Sequence, residues 1–161
     1  AVNCITISKK KKLKGYNTDY HGFKKSIQPL LKEHHKKALI LGTGGASKAI
    51  AYALRNLKIE YDFVSRTADE FQYKYEELDA SIFEEYTVII NTTPVGTHPN
   101  VDDCPNLDYS LFTKKHIAYD LIYNPEETAF LRKAKAQSAV TKNGYEMLVL
   151  QAEKAWKIWN E

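Results

Sequence analysis

Lys37–Thr67, KALILGTGGASKAIAYALRNLKIEYDFVSRT, is the stretch whose reading decides the fold. Ala38–Leu41 is an apolar run ending at a glycine, the pattern of a buried parallel strand. Gly42-Thr43-Gly44-Gly45-Ala46-Ser47 is a turn. Ala46–Leu57 places Ile50, Ala53, Leu54 and Leu57 on one helical face, and Tyr61–Val64 reads as a second strand. Gly42 and Gly44 lack a Cβ, so the backbone can bend sharply and let an anion approach. The free N–H groups opening the next helix carry partial positive charge and suit a diphosphate. Ser47 takes the third position of a G-x-G-x-x-G spacing. Such a turn between a strand and a helix points to a dinucleotide.

The end of the second strand narrows the choice. A nicotinamide dinucleotide without the extra phosphate is usually met there by an acid that bonds the ribose 2′-OH. Ser65-Arg66-Thr67 stands in that place. A guanidinium flanked by two hydroxyls suits a 2′-phosphate, which favours NADP(H) over NAD. The bland alternative is a strand-end arginine in a surface ion pair.

The 161 residues fit one domain, with 43% hydrophobic and 27% charged residues, an ordinary globular balance. No apolar run approaches the ~20 residues a membrane helix needs, and no leader pattern is visible. Cys4 and Cys104 lie far apart, outside any metal-ligand spacing, and read as free thiols of a reducing cytoplasm. Residues 1–37 hold ten lysines against Asp19 and Glu33, while the net charge of the chain is only +3. No stacking platform of aromatics interleaves these lysines, so nucleic acid is not the expected partner. Lys9–Lys12 reads as the solvated tip of a hairpin between Cys4–Ile7 and Leu13–Gly15. Asp102-Asp103-Cys104 reads as solvated loop, so no metal is expected. Ala1 in place of Met, with no lead-in to the first strand, suggests a piece of a longer polypeptide.

Beyond the hairpin, a helix is expected from Tyr20 to His34, kinked or shortened by Pro29. Asp19 is placed to cap it, and His34-His35 to complement its dipole. After the nucleotide unit, Tyr73 marks a brief strand and Leu78–Tyr86 a short helix capped near Asp79. Strands follow at Val88–Asn91, His116–Asp120 and Ala139–Thr141, with a loop at His98–Asp108 and a helix at Glu126–Gln137. In the last helix, Tyr145–Trp159, residues Leu148, Ala152, Ala155 and Trp159 form the expected core stripe, with the tryptophans packed. This alternation predicts an α/β fold: a Rossmann-like, doubly wound, mostly parallel sheet with helices on both faces. Ligands of such sheets sit beyond the carboxyl ends of the strands.

Seven motifs in order, AVN, GYNTD, GTGGASKA, SRT, NTTPVG, YDLIYNP and NGYEMLVLQA, make the chain resemble the shikimate dehydrogenases over nearly its whole length. The match is to the C-terminal, NADP-binding part of that family. The resemblance implies NADPH-dependent reduction of 3-dehydroshikimate to shikimate, on the route to chorismate and the aromatic amino acids. It assigns Asn3, Asp19, Tyr123 and Gln151 to the substrate, with Asp19 as half of a catalytic pair. It assigns Gly42, Gly44, Gly45, Ala46 and Ser47 to the diphosphate, and Ser65, Arg66 and Thr67 to the 2′-phosphate. Asn91, Thr92, Thr93 and Pro94, with Leu121 and Gly144, flank the nicotinamide. Residues 1–20 would then be a hairpin linking to a substrate domain, and residues 21–161 the nucleotide-binding domain.

The same resemblance places the catalytic lysine in that other domain, so the chain alone is expected to be inactive. Cys4 replaces the family's usual threonine. Glu70 replaces a second basic residue, which leaves NAD use open. Ala68–Tyr86 is short for the family's helix there, which implies an open adenine side. A quinate/shikimate paralogue and a non-catalytic redox-sensing module remain as alternatives, and a homodimer stays open. Glutamyl-tRNA reductase shares the glycine turn and Ser-Arg strand end, but GYNTD and Gln151 argue against it.

Overall fold

A computed structural model describes all residues, 1–161. In chain order the elements are β1 (Cys4–Ile7), β2 (Leu13–Tyr16), α1 (Asp19–Ile27), β3 (Lys37–Leu41), α2 (Gly45–Asn56), β4 (Glu60–Val64), β5 (Gln72–Tyr73), α3 (Ala80–Glu85), β6 (Val88–Asn91), β7 (Ile117–Asp120), α4 (Ala129–Ala136), β8 (Val140–Lys142) and α5 (Tyr145–Asn160). β3 to β8 form one six-stranded sheet in the order β5-β4-β3-β6-β7-β8, every pair parallel. The order reverses between β3 and β6, and there the doubly wound fold presents its crevice.

Alternate residues of each central strand feed opposite cores. Ala38, Ile40, Val88, Ile90, Ile117 and Tyr119 face Phe23, Ile27, Ile50, Leu54 and Met147 from α1, α2 and α5. Leu39, Leu41, Ile89 and Ala118 face Phe83, Phe112, Phe130 and Leu131 on the other side. A strand flanked by two such layers must be apolar at every position, which is why Ala38–Leu41 and Val88–Ile90 read as unbroken runs. α1 and α5 cross at Gly22, where an added Cβ would lie 2.4 Å from the Met147 carbonyl oxygen. That close crossing brings the start of α1 against the middle of α5.

Several expectations are corrected. α1 is shorter than predicted: it ends at Ile27 and passes through a 3-10 turn, Gln28–Leu30. Pro29 has no N–H to continue the ladder, and its ring excludes the preceding carbonyl. His34-His35 therefore lie beyond the helix and do not serve its dipole. Thr18, not Asp19, is the N-cap residue, and Asp19 is the first residue of α1. The buried face of α5 carries Met147, Ala155 and Ile158, whereas Ala152 and both tryptophans are exposed. The Gly22 crossing and the docking of Cys4 on Ala155 and Ile158 set that rotation. Trp159 instead donates its indole N–H to the Ile5 carbonyl. Cys4 is core, so the residue that replaces threonine there turns away from Asn3.

The β1–β2 hairpin forms a separate antiparallel sheet with Cys4 opposite Tyr16, and Lys9–Lys12 at its tip are exposed. The other elements fall within a few residues of their predicted bounds. Asp79 caps α3 by accepting from the Ile82 N–H at 3.0 Å.

Two buried histidines close the far end of the sheet. His35 Nδ1 accepts from the Lys32 N–H at 2.8 Å, so its Nε2 donates to the Lys115 carbonyl at 3.0 Å. His116 repeats the device, with Nδ1 accepting from Thr113 N–H and Nε2 facing the Phe83 carbonyl at 2.8 Å. A proton on either Nδ1 would oppose an N–H. Burial lowers both pKa values from the usual histidine range. As pH falls the unfolded chain protonates first, so these groups stabilise above the unfolded value of about 6.5 and lose that contribution below it. In urea titrations, the stability difference between the parent and His35→Gln is expected to be constant above about pH 7 and to shrink toward pH 5.

Candidate functional site

The carboxyl ends of four strands align in one row. Val64 pairs with Leu41, Leu41 with Asn91, and Asn91 with Asp120. The loops leaving this row form a cleft of about 810 Å³ lined by Gly42, Thr43, Gly44, Ser65, Arg66, Thr67, Tyr75 and Glu76 on one side and Thr92, Thr93, Pro94 and Cys104–Asn106 on the other. A neighbouring concavity of about 460 Å³ shares Thr92, Thr93 and Pro94 and adds Ala46, Leu121 and Tyr123. The two adjoin at these shared residues.

Gly42 adopts φ +101°, and its Cβ would lie 2.9 Å from Thr93 Cγ2. Both facts demand glycine there. Gly44 and Gly45 are different, since a Cβ on either would meet nothing within 4 Å. The space over this turn is open, and the N-terminus of α2 points its first N–H groups there. The α2 N-cap, Gly44, has no side chain to satisfy them, which suits an incoming anion. Ser47 is fully buried and donates its hydroxyl to the Gly44 carbonyl at 2.6 Å, fixing the turn from behind.

Ser65 is buried and accepts from the Thr67 N–H at 3.2 Å, curling the tip of β4. Arg66 is exposed and lines the cleft; the ion pairs of the structure are made by Lys37, Lys135 and Lys142. Its guanidinium is thus uncommitted to any carboxylate. Glu70 lines a separate concavity with Asp62, Phe71, Gln72 and Tyr73, away from Arg66. A single 3-10 turn, Tyr75–Glu77, and the six-residue α3 follow β5, and Tyr75 and Glu76 line the cleft there.

Of the residues assigned to substrate, three gather. Asn3 donates its amide to Asp19 at 2.8 Å and accepts from the Thr18 N–H at 2.8 Å. Thr18 donates its hydroxyl toward Gln151 Oε1 at 3.2 Å and lies 3.3 Å from Asn3 Oδ1. Half-burial raises the Asp19 pKa from its ordinary value, opposed by the Asn3 hydrogen bond. Asp19 has no basic side chain in an ion pair with it. Tyr123 is exposed in the second concavity and makes no hydrogen bond to this group. Gly144 is pressed against Leu121, where a Cβ would lie 1.9 Å from the carbonyl oxygen.

Sequence reasoning missed Tyr75, Glu76 and Cys104–Asn106, which line the cleft and carry no motif. It also missed Asp120 and Thr128. Asn91 was assigned to the ligand, yet its side chain is fully buried and bonds Asp120 at 3.0 Å. No group of three or more His, Cys, Asp or Glu side chains is arranged to hold a metal ion, and no helix is long and apolar enough to cross a membrane.

No family model matches the chain. It is 38% identical to the NADP(+)-dependent shikimate dehydrogenase of Bacillus cereus (strain AH187) over 99% of its own length. Over nearly its whole length the chain is similar to the NADP-binding part of the shikimate dehydrogenases. It spans 62% of the length of that relative. The shikimate dehydrogenase structure from Aquifex aeolicus superposes with a TM-score of 0.83 at 36% identity, covering 99% of this chain and 61% of that one. The shikimate 5-dehydrogenase from Thermus thermophilus, solved with NADP(H) and shikimate, gives 0.82 at 33% identity, with 99% and 62% coverage.

Proposed function

We propose that this chain forms the NADP(H)-binding part of an oxidoreductase that interconverts 3-dehydroshikimate and shikimate. The observation that carries the proposal is the uncommitted Arg66 guanidinium at the β4 tip, beside an open glycine turn with unsatisfied helix N–H groups. A diphosphate over Gly44–Ala46 and a 2′-phosphate on Ser65–Thr67 fit the two anion positions of one ligand. The second concavity, over Leu121 and Thr92–Pro94, then takes the nicotinamide. When bound, NADPH supplies the hydride for the ring carbon.

The chain's own residues handle orientation and one proton. Asn3 holds Asp19 in a fixed rotamer, and Thr18 links that pair to Gln151. Asp19 accepts a hydrogen bond from the substrate hydroxyl, while Gln151 and Tyr123 fix the ring against the nicotinamide. Reduction also needs a proton donor for the carbonyl oxygen. Asp19 has no cationic partner among these residues, so that donor comes from the portion of the longer relatives that this chain does not span.

Titration by NADPH emission tests the reading: saturable NADPH binding, tighter than NADH, is expected. No nucleotide binding by the folded chain at millimolar concentration would refute it. In a steady-state assay with shikimate and NADP⁺, the 161-residue chain is expected to show no turnover. Substantial turnover would place the proton donor within these residues instead.

A further inference from the structure

Asp120 is the last residue of β7 and fully buried, yet no cation pairs with it. Burying a carboxylate without a counter-charge is costly unless donors surround it. Three do. Oδ1 accepts from Asn91 Nδ2 at 3.0 Å and from the Ile122 N–H at 3.1 Å. Oδ2 accepts from the Thr128 hydroxyl at 2.6 Å. Each donor belongs to a different segment: the end of β6, the loop after β7, and the cap of α4.

Asn91 extends the set. Its Oδ1 accepts from the Thr93 N–H at 3.0 Å and from the Thr93 hydroxyl at 2.7 Å. One carboxylate therefore fixes Thr93 through Asn91 and fixes Leu121–Ile122 directly. Both segments line the concavity that also contains Ala46 and Tyr123. An asparagine would keep the acceptor for Asn91 and Ile122 but would turn an amide donor toward Thr128, whose hydroxyl would have to rotate and give up its donated bond. A carboxylate, acceptor-only, takes all three donors as they stand. Burial pushes its pKa up to about 6, while the three hydrogen bonds pull it down.

Resting on the nucleotide-site reading above, we propose that Asp120 is a positioning residue for the nicotinamide half of the cofactor, setting the spacing between the Thr92–Pro94 and Leu121–Tyr123 walls. The adenosine half lies over Gly42–Gly44 and Ser65–Thr67, which bond neither Asp120 nor Asn91. Thr92–Pro94 line both concavities, but the anion positions over the glycine turn and the β4 tip are not bonded to Asp120, so the adenosine phosphates are expected to be the less affected half.

Calorimetric titration of the 161-residue chain with NADP⁺ and with adenosine 2′,5′-bisphosphate separates them. Asp120→Asn is expected to weaken NADP⁺ binding about tenfold, the loss of roughly one charge-assisted hydrogen bond, and to leave bisphosphate binding unchanged. Thr128→Val removes the Oδ2 donor together with the α4 cap that accepts from the Leu131 N–H; it is expected to act in the same sense on NADP⁺ and to spare bisphosphate, with Thr128→Ser restoring the parent value. This pair keeps the test decisive if Asp120→Asn does not fold. Equal loss for both ligands, or no loss for either, would overturn the positioning role. Failure of the parent chain to bind bisphosphate would instead overturn the nucleotide-site reading.

Discussion

Arg66→Gln is expected to weaken NADPH binding by about 10- to 100-fold while leaving NADH binding nearly unchanged. Hydrogen bonds to a charged partner contribute about 1.5–3 kcal/mol, and each 1.4 kcal/mol is tenfold in affinity. Glutamine keeps a donor at similar reach but loses the charge and the planar fork that meets a phosphate with two bonds. No carboxylate ties Arg66 down in the free protein, so removing it costs no ion pair and little stability. The discrimination ratio between the two nucleotides, measured side by side in one buffer, isolates the 2′-phosphate. An equal loss for both would assign Arg66 to the adenine or ribose instead.

Gly144→Ala is expected to be the most damaging single methyl addition in the chain. Gly144 lies at an ordinary φ of −78°, so backbone strain is not the reason. The reason is contact: the new Cβ would sit 1.9 Å from the Leu121 carbonyl oxygen and 2.5 Å from its carbonyl carbon. Both are main-chain atoms, which no rotamer change can move. Either α5 or the loop after β7 must shift. Overpacking of this kind costs about 1–3 kcal/mol, a large fraction of the roughly 5–15 kcal/mol that holds a domain folded. A lower urea midpoint with an unchanged slope would register it. Gly45→Ala is the control. It adds the same methyl at the start of α2 where nothing lies within 4 Å, and stability should hold or rise slightly.

What the sequence made legible follows from where its signals are local. The unbroken apolar strands, the glycine turn and the Ser-Arg-Thr strand end each advertise themselves within a few residues, and they carry the sheet, its order and the nucleotide cleft. The Asn3–Asp19–Gln151 grouping was legible only through family motifs, because its members lie far apart in the chain and meet through the Gly22 crossing. The rotation of α5 was misread because tryptophan looks apolar in any helical count. The face that turns inward was chosen by Gly22 and Cys4, which no periodicity reveals. Asp120 was invisible for the opposite reason. A lone acid closing an apolar strand gives no sign of a role, and only its three donors from separate segments show one.

The placement of Trp156 and Trp159 has an optical consequence. The chain has two tryptophans, and both lie exposed on the last turns of α5, with Trp159 bonded to the Ile5 carbonyl of the hairpin. Intrinsic emission excited at the red edge therefore reports on that one corner, with a water-relaxed maximum and ready quenching by iodide. It is blind to events over the glycine turn, and it becomes a selective gauge of anything that covers or detaches the β1–β2 hairpin.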